Sequence, residues 1–162
     1  MGTGIAPSSA VGYILTVRGA ESRGNPGGEA VNVRAMTTDE PFDLPALLAL
    51  FQEEETVATG TVVIHHGKVK QPGKKIPDFS RVELRSLVPD PGAALSGLAA
   101  RAAGDFGANQ VLVVHRLGTV DAGQDVLLVM VSAPTRKAAF NACAWLVDAV
   151  KEEKIIQLTE LP

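Results

Sequence analysis

The residues best equipped for chemistry in this chain are cations. Arg136 and Lys137 open a helix-like run, SAPTRKAAFNACAWLVDAVKEEKIIQL, and Lys151 closes its apolar part. A cation at a helix C-terminus suits the helix dipole, whereas two in the first turn oppose it, at about 0.3–1 kcal/mol each when nothing answers them. Pro134 and Thr135 read as chain entry and N-cap, which leaves the backbone N–H groups near Arg136 and Lys137 partly unpaired. A phosphate would answer both the side chains and the N–H groups; the alternative is that both side chains extend into screened water. Lys151 stands fifteen residues beyond Arg136, roughly 22 Å along a helix axis, so one small ligand cannot touch both within a single chain. At 3.6 residues per turn Lys151 returns to the direction of Phe140, on the side expected to be apolar. There its amine either snorkels to solvent or is desolvated until its pKa falls.

A second cationic cluster lies in KVKQPGKKIPDFS, where Lys68, Lys70, Lys74 and Lys75 surround Gly73. Such a loop is either a clamp for a phosphate or an acidic partner, or a solvated surface segment. His65, His66 and His115 raise the question of a metal. Adjacent histidines in a strand point to opposite faces, and no carboxylate or cysteine stands at ligand spacing beside them, so neither a metal nor another cofactor is expected. Cys143, between Ala142 and Ala144, has no partner for a bridge. It reads as a core thiol, not a nucleophile, and suits a reducing cytosol. The sequence carries no G-x-S-x-G, P-loop or G-x-G-x-x-G motif, which removes the usual sequence grounds for a hydrolase or a nucleotide binder.

The frame that must position these groups is one domain's worth of chain, 162 residues with a formal charge of -3 and a sequence pI near 5.6. That balance argues against a surface committed to nucleic acid or to anionic membrane, so any anion site must be local. No stretch approaches the roughly 18 apolar residues of a membrane span, and the N-terminus lacks the basic start and apolar centre of a signal peptide, so a cytoplasmic protein is expected. Residues 1–30 read as an arm with one possible strand, GYILTV (12–17), followed by the loop SRGNPGGE; residues 31–162 read as the domain proper. AVNVRAM (30–36) alternates like a strand. Asp43 and Pro45 open a short amphipathic helix. TVVIHHG (61–67) reads as a buried strand from its run of β-branched residues, and RVELRSLV (81–88) alternates again. Asp90 as cap, Pro91 at the first helical position and Gly104 as stop punctuate the next helix. QVLVVHRLG (110–118) and DVLLVMVSA (125–133) are strands joined by TVDAG as a hairpin loop, and EEKIIQLTELP ends as a short strand after the last helix. Strands in adjacent pairs between three helices predict an α+β fold with a mixed or mainly antiparallel sheet.

Taken together, DEPFDLPALL, GTVVIHHGKVK and VLVVHRLGTVDAGQDVLLVMVSAPTRKAAFNACAWLVDAVK form an ordered series that resembles the large, catalytic subunit of molybdopterin synthase. The resemblance runs from about 36 to 154 and rests on the H-R-x-G turn at His115–Gly118, the R-x-x-A-F helix start at Arg136–Phe140 and the helix-terminal Lys151. It implies an α/β-hammerhead-like subunit that forms homodimers and binds a small ubiquitin-like sulfur carrier through the carrier's C-terminal Gly-Gly. The resulting heterotetramer would transfer sulfur from the carrier thiocarboxylate to cyclic pyranopterin monophosphate, forming the dithiolene of molybdopterin. It further implies Lys151 as the catalytic lysine, with Lys70, Thr135, Arg136, Lys137 and Lys154 as substrate-binding candidates, and a pocket using both Arg136 and Lys151 completed across a dimer two-fold. Three positions depart from the family pattern. Lys70 stands for an arginine, Thr135 for a histidine and Leu158 for a second active-site lysine. Lys154 is the nearby candidate to replace that lysine. A paralogue that keeps the fold but binds or regulates carrier or pterin is the competing function.

Overall fold

The computed structural model describes the backbone of residues 15–18 and the whole of 31–162. Its elements run β1 (Leu15–Arg18), β2 (Asn32–Thr38), α1 (Leu44–Gln52), β3 (Thr61–Lys68), β4 (Arg81–Ser86), α2 (Pro91–Phe106), β5 (Gln110–Arg116), β6 (Gly118–Asp121), β7 (Asp125–Ala133), α3 (Arg136–Lys151) and β8 (Ile156–Leu161). The expected arm strand thus appears as β1, shifted to 15–18; the remainder of the arm, including the SRGNPGGE loop, lies outside the described residues. No helix among the described residues is long and apolar enough to cross a membrane.

Local chemistry sets the helix boundaries. Asp43 accepts a hydrogen bond from Ala46 N at 3.1 Å, Asp90 from Ala93 N at 2.9 Å, and Thr135 Oγ1 from Ala138 N at 3.2 Å. Each cap satisfies an otherwise orphaned N–H in a helix's first turn. Gly104, expected to stop α2, instead sits exposed within it. The helix ends at Gly107, whose φ of 71° supplies the left-handed cap, a conformation that Gly104 does not adopt.

Two sheets share the domain. The larger has the order β1-β2-β5-β7-β3, and the smaller β6-β4-β8. Among the described residues only β2 and β5 pair in parallel; the other pairings are antiparallel. The architecture is therefore α+β with mixed and antiparallel sheets and three helices. Strand β5 is buried along its whole length because its two faces serve two cores. Val111 and Val113 pack into the main core with Leu95, Ala99 and Leu146 of α2 and α3, while Leu112 and Val114 join Phe51 of α1 on the opposite side. The smaller sheet closes the main core with Val82, Leu84, Val120 and Ile156.

Three further expectations change. Strand β3 is only half-buried, because it pairs with β7 alone and forms the sheet's outer edge; β-branched residues suit an edge as well as a centre. β5 and β7 do pair antiparallel, yet the segment between them is more than a hairpin loop. Gly118, at φ 81°, turns the chain into β6, which pairs with β4 in the second sheet. Lastly, the side of α3 bearing Phe140 does not face the core. Ala139, Ala142, Cys143, Leu146, Val147 and Val150 do, and Phe140 is 60% exposed.

Candidate functional site

Lys151 ends α3, where the helix dipole favours its charge. The next turn leads into β8, so the α3 terminus, the smaller sheet and the loop after β3 meet around a cavity of about 330 Å³. Its apolar wall includes Val82, Leu84, Val150, Ile156 and Leu158, and its polar rim Lys68, Lys70, Lys74, Lys151, Glu153 and Glu160. Four lysines against two glutamates give the rim a positive balance within a chain of charge -3. An anionic ligand with an apolar body suits such a lining.

The basic loop is held in place by contacts far apart in sequence. Glu160 of β8 accepts hydrogen bonds from the backbone N–H groups of Lys74 (2.6 Å), Lys75 (2.8 Å) and Ile76 (2.7 Å). Gln71 Nε2 donates to Phe79 O at 2.5 Å, and Gly73 N to Pro77 O at 3.0 Å. A Cβ at residue 73 would lie 2.2 Å from Ile76 O and 2.6 Å from Glu160 Oε2, so only glycine fits this approach. Three N–H bonds, that of Ile76 foremost, hold the Glu160 carboxyl below the usual glutamate range. At the loop's root, Lys68 Nζ lies 3.4 Å from Asp125 Oδ1, which also meets His66 Nε2 at 2.5 Å. Burial opposes the Asp125 charge, but the bonds from His66 and Lys68 outweigh it and lower the pKa.

His115 lines the inner wall. Its Nδ1 donates to Arg116 O at 2.7 Å, which leaves Nε2 as the acceptor of the neutral ring. Burial depresses its pKa despite that bond, so the ring is neutral at pH 7. His65, on β3, also has a lowered pKa, from burial first and then from the nearby Lys151 and His66 charges. Cys143 is buried, and desolvation pushes its thiol up to about 11, the behaviour of a core residue.

Of the residues singled out in the sequence, Lys70 and Lys151 come together on the cavity. Thr135, Arg136 and Lys137 stand exposed at the opposite end of α3, roughly 22 Å away along the axis, and the Thr135 hydroxyl is occupied as the N-cap. Lys154 is largely exposed and paired with Glu152, outside the cavity wall. Leu158 is part of that wall. His115 and Glu160 were not among the sequence candidates for the site. The H-R-x-G turn was a signal for the first; nothing local marks the second, whose partners lie more than eighty residues upstream. A separate shallow groove of about 280 Å³ runs between β3 and α3 and includes Ile64, Phe140, Ala144 and Asp148.

Comparison with known proteins identifies the family and the fold. Residues 37–153 match the family described as MoaE protein. The molybdopterin synthase catalytic subunit of Pyrococcus abyssi is 31% identical over 120 residues, covering 70% of this chain and 74% of its own length. That of Caulobacter vibrioides is 31% identical over 116 residues, covering 70% and 73%. The crystal structure of molybdopterin synthase from Staphylococcus aureus superposes with a TM-score of 0.67 at 22% identity, covering 78% of this chain and 90% of that one. A complex of subunits 1 and 2 of molybdopterin-converting factor from Helicobacter pylori superposes with a TM-score of 0.56 at 20% identity, covering 76% and 82%. A family match over most of the domain, joined to relatives at 31% identity, makes this chain a member of the MoaE family, to which molybdopterin synthase catalytic subunits belong.

Proposed function

We propose that the protein is the large, catalytic subunit of a molybdopterin synthase, a sulfurtransferase of molybdenum cofactor biosynthesis acting in the cytoplasm. A thiocarboxylate at the Gly-Gly tail of a small ubiquitin-like carrier delivers sulfur to cyclic pyranopterin monophosphate, and two such transfers form the dithiolene. The observation that carries this reading is the convergence of Lys70 and Lys151 on one cationic cavity within the segment matched to the family. Lys151 stabilises the negative charge that develops as sulfur attacks, and Lys70 binds the substrate phosphate as a point charge without the bidentate fork of an arginine. The Helicobacter pylori complex of two subunits supports a small-subunit partner.

Arg136 and Lys137 join the site through a second copy of the chain. Cys143 and Ala144 lie midway between Arg136 and Lys151 in α3. An antiparallel pair of α3 helices about a two-fold at that midpoint would set the partner's Arg136 beside Lys151. Support comes from the surface at the same place, where Ile64 and Phe140 are exposed at 41% and 60% beside the shallow groove. Burying such apolar area on association is favourable.

The test is to mix purified protein with thiocarboxylated carrier and cyclic pyranopterin monophosphate and to assay molybdopterin. Product formation that Lys151→Ala abolishes supports the synthase. Leu158 in the cavity wall favours a second reading, a carrier- or pterin-binding paralogue. Carrier binding without turnover would decide for it.

A further inference from the structure

Leu158 leaves the cavity one cation short of the family pattern, and the nearest lysine in sequence, Lys154, is turned to solvent with Glu152. The cavity rim nevertheless carries a cation from elsewhere. Lys74, in the loop after β3, lines the same cavity as Leu158 and Lys151. No ion pair to Lys74 occurs among the described residues, whereas Lys68 is engaged with Asp125.

The loop carrying Lys74 is not free to wander. Its backbone N–H bonds to Glu160 Oε1 at 2.6 Å, and the two following N–H groups bond to Glu160 Oε2. Glu160 and Leu158 are on the same strand, two residues apart, so their side chains leave β8 on one side. The strand that supplies an apolar residue at position 158 therefore also fixes, through its next same-side residue, the segment that brings a lysine to the rim. Gly73 permits this because any Cβ there would collide with Ile76 O and Glu160 Oε2.

We infer that Lys74, anchored by the Glu160 carboxylate, is the second anion-binding lysine of this pocket and stands in for the lysine that Leu158 replaces. Lys74 contacts the phosphate-bearing substrate directly; Glu160 is a positioning residue that acts through the loop. The assignment deepens the synthase reading and rests on it for the identity of the ligand. The cation cluster itself can be probed with inorganic phosphate.

The experiment titrates inorganic phosphate into the wild-type protein, Lys74→Ala, Lys75→Ala and the double variant Lys74→Ala/Leu158→Lys at low ionic strength. Amide shifts of cavity residues are followed by NMR, and thermal melts control for folding. Lys75, next in sequence but absent from the cavity wall, reports general screening alone. The expected result is a several-fold weakening in Lys74→Ala, wild-type affinity in Lys75→Ala, and recovery when Leu158→Lys returns a cation to the wall. Lys74→Arg, which keeps the charge without a new buried side chain, is expected to bind like wild type and guards against misfolding of the double variant. Absence of phosphate binding by the wild type, an unchanged affinity in Lys74→Ala, or equal weakening in Lys74→Ala and Lys75→Ala would overturn the assignment. Lys74-dependent phosphate binding by a protein that makes no molybdopterin would instead uphold Lys74 and remove the synthase reading.

Discussion

The Ile76 backbone N–H donates to Glu160 Oε2 across 2.7 Å, tying the loop after β3 to the last strand in chain order. Because this bond and those from Lys74 and Lys75 favour the ionised carboxyl, the folded pKa of Glu160 lies below its unfolded value. The stabilisation is therefore complete above the ordinary glutamate pKa of about 4.3 and is lost as pH falls through the lower, folded value. Amide shifts of Lys74, Lys75 and Ile76 should titrate together in that acidic window and stay still in Glu160→Gln. Independent midpoints for the three amides would contradict a shared carboxylate.

Removing the Lys151 ammonium should lower sulfur transfer by about 10²–10³-fold, the range for loss of one preorganised group that stabilises transition-state charge. The carrier should still bind, because its docking depends on more surface than one side chain. Measuring single-turnover rate and carrier affinity side by side separates the two effects.

Arg136→Ala and Lys151→Ala should complement one another if the pocket spans two subunits. Co-expressed, they form mixed dimers in which one of the two sites keeps both residues, so about a quarter of wild-type activity should return under random two-fold pairing. Failure of the mixture to exceed either variant alone would place both residues in separate sites.

With its thiol near 11, Cys143 exists as thiolate at pH 7 in only about one part in 10⁴. Iodoacetamide should label the native protein far more slowly than the unfolded chain. Cys143→Ala should leave sulfur transfer near wild type, since the thiol packs into the core and takes no part in the cavity.

Gly97 and Gly104 sit exposed inside α2 with open space where a Cβ would be. Alanine at either position should stabilise the fold by about 0.5–1 kcal/mol. At Gly107, with φ of 71°, the same change should destabilise it. Thermal melts of the three variants check the opposite signs.

These glycines also mark where the sequence was legible and where it was not. Asp43, Asp90 and Thr135 announce their helices because a cap acts within three residues. The choice between Gly104 and Gly107 as terminator depends on which backbone turns left-handed, and composition does not encode that. β6 was hidden because its partner strand β4 lies more than thirty residues upstream, while TVDAG alone has the character of a loop. In the site, Lys70 and Lys151 stood out through the family pattern. Lys74 was visible only as one of several loop lysines, and Glu160 had no local mark because a carboxylate's partner is set by tertiary pairing. The Phe140 side of α3 was misjudged for a related reason: helical period gives the direction of a side chain, but not which neighbouring element fills that direction.

The smaller sheet is assembled from three segments that leave the ribosome far apart in time, with β8 after all the rest. Val82 and Leu84 of the cavity wall precede Lys151 in the chain, whereas Ile156, Leu158 and Glu160 follow it; until β8 is made, the lysine-bearing loop has no carboxylate to grip. A nascent chain therefore carries its cationic groups around an incomplete receptacle, which is closed by the pairing of β8 with β4.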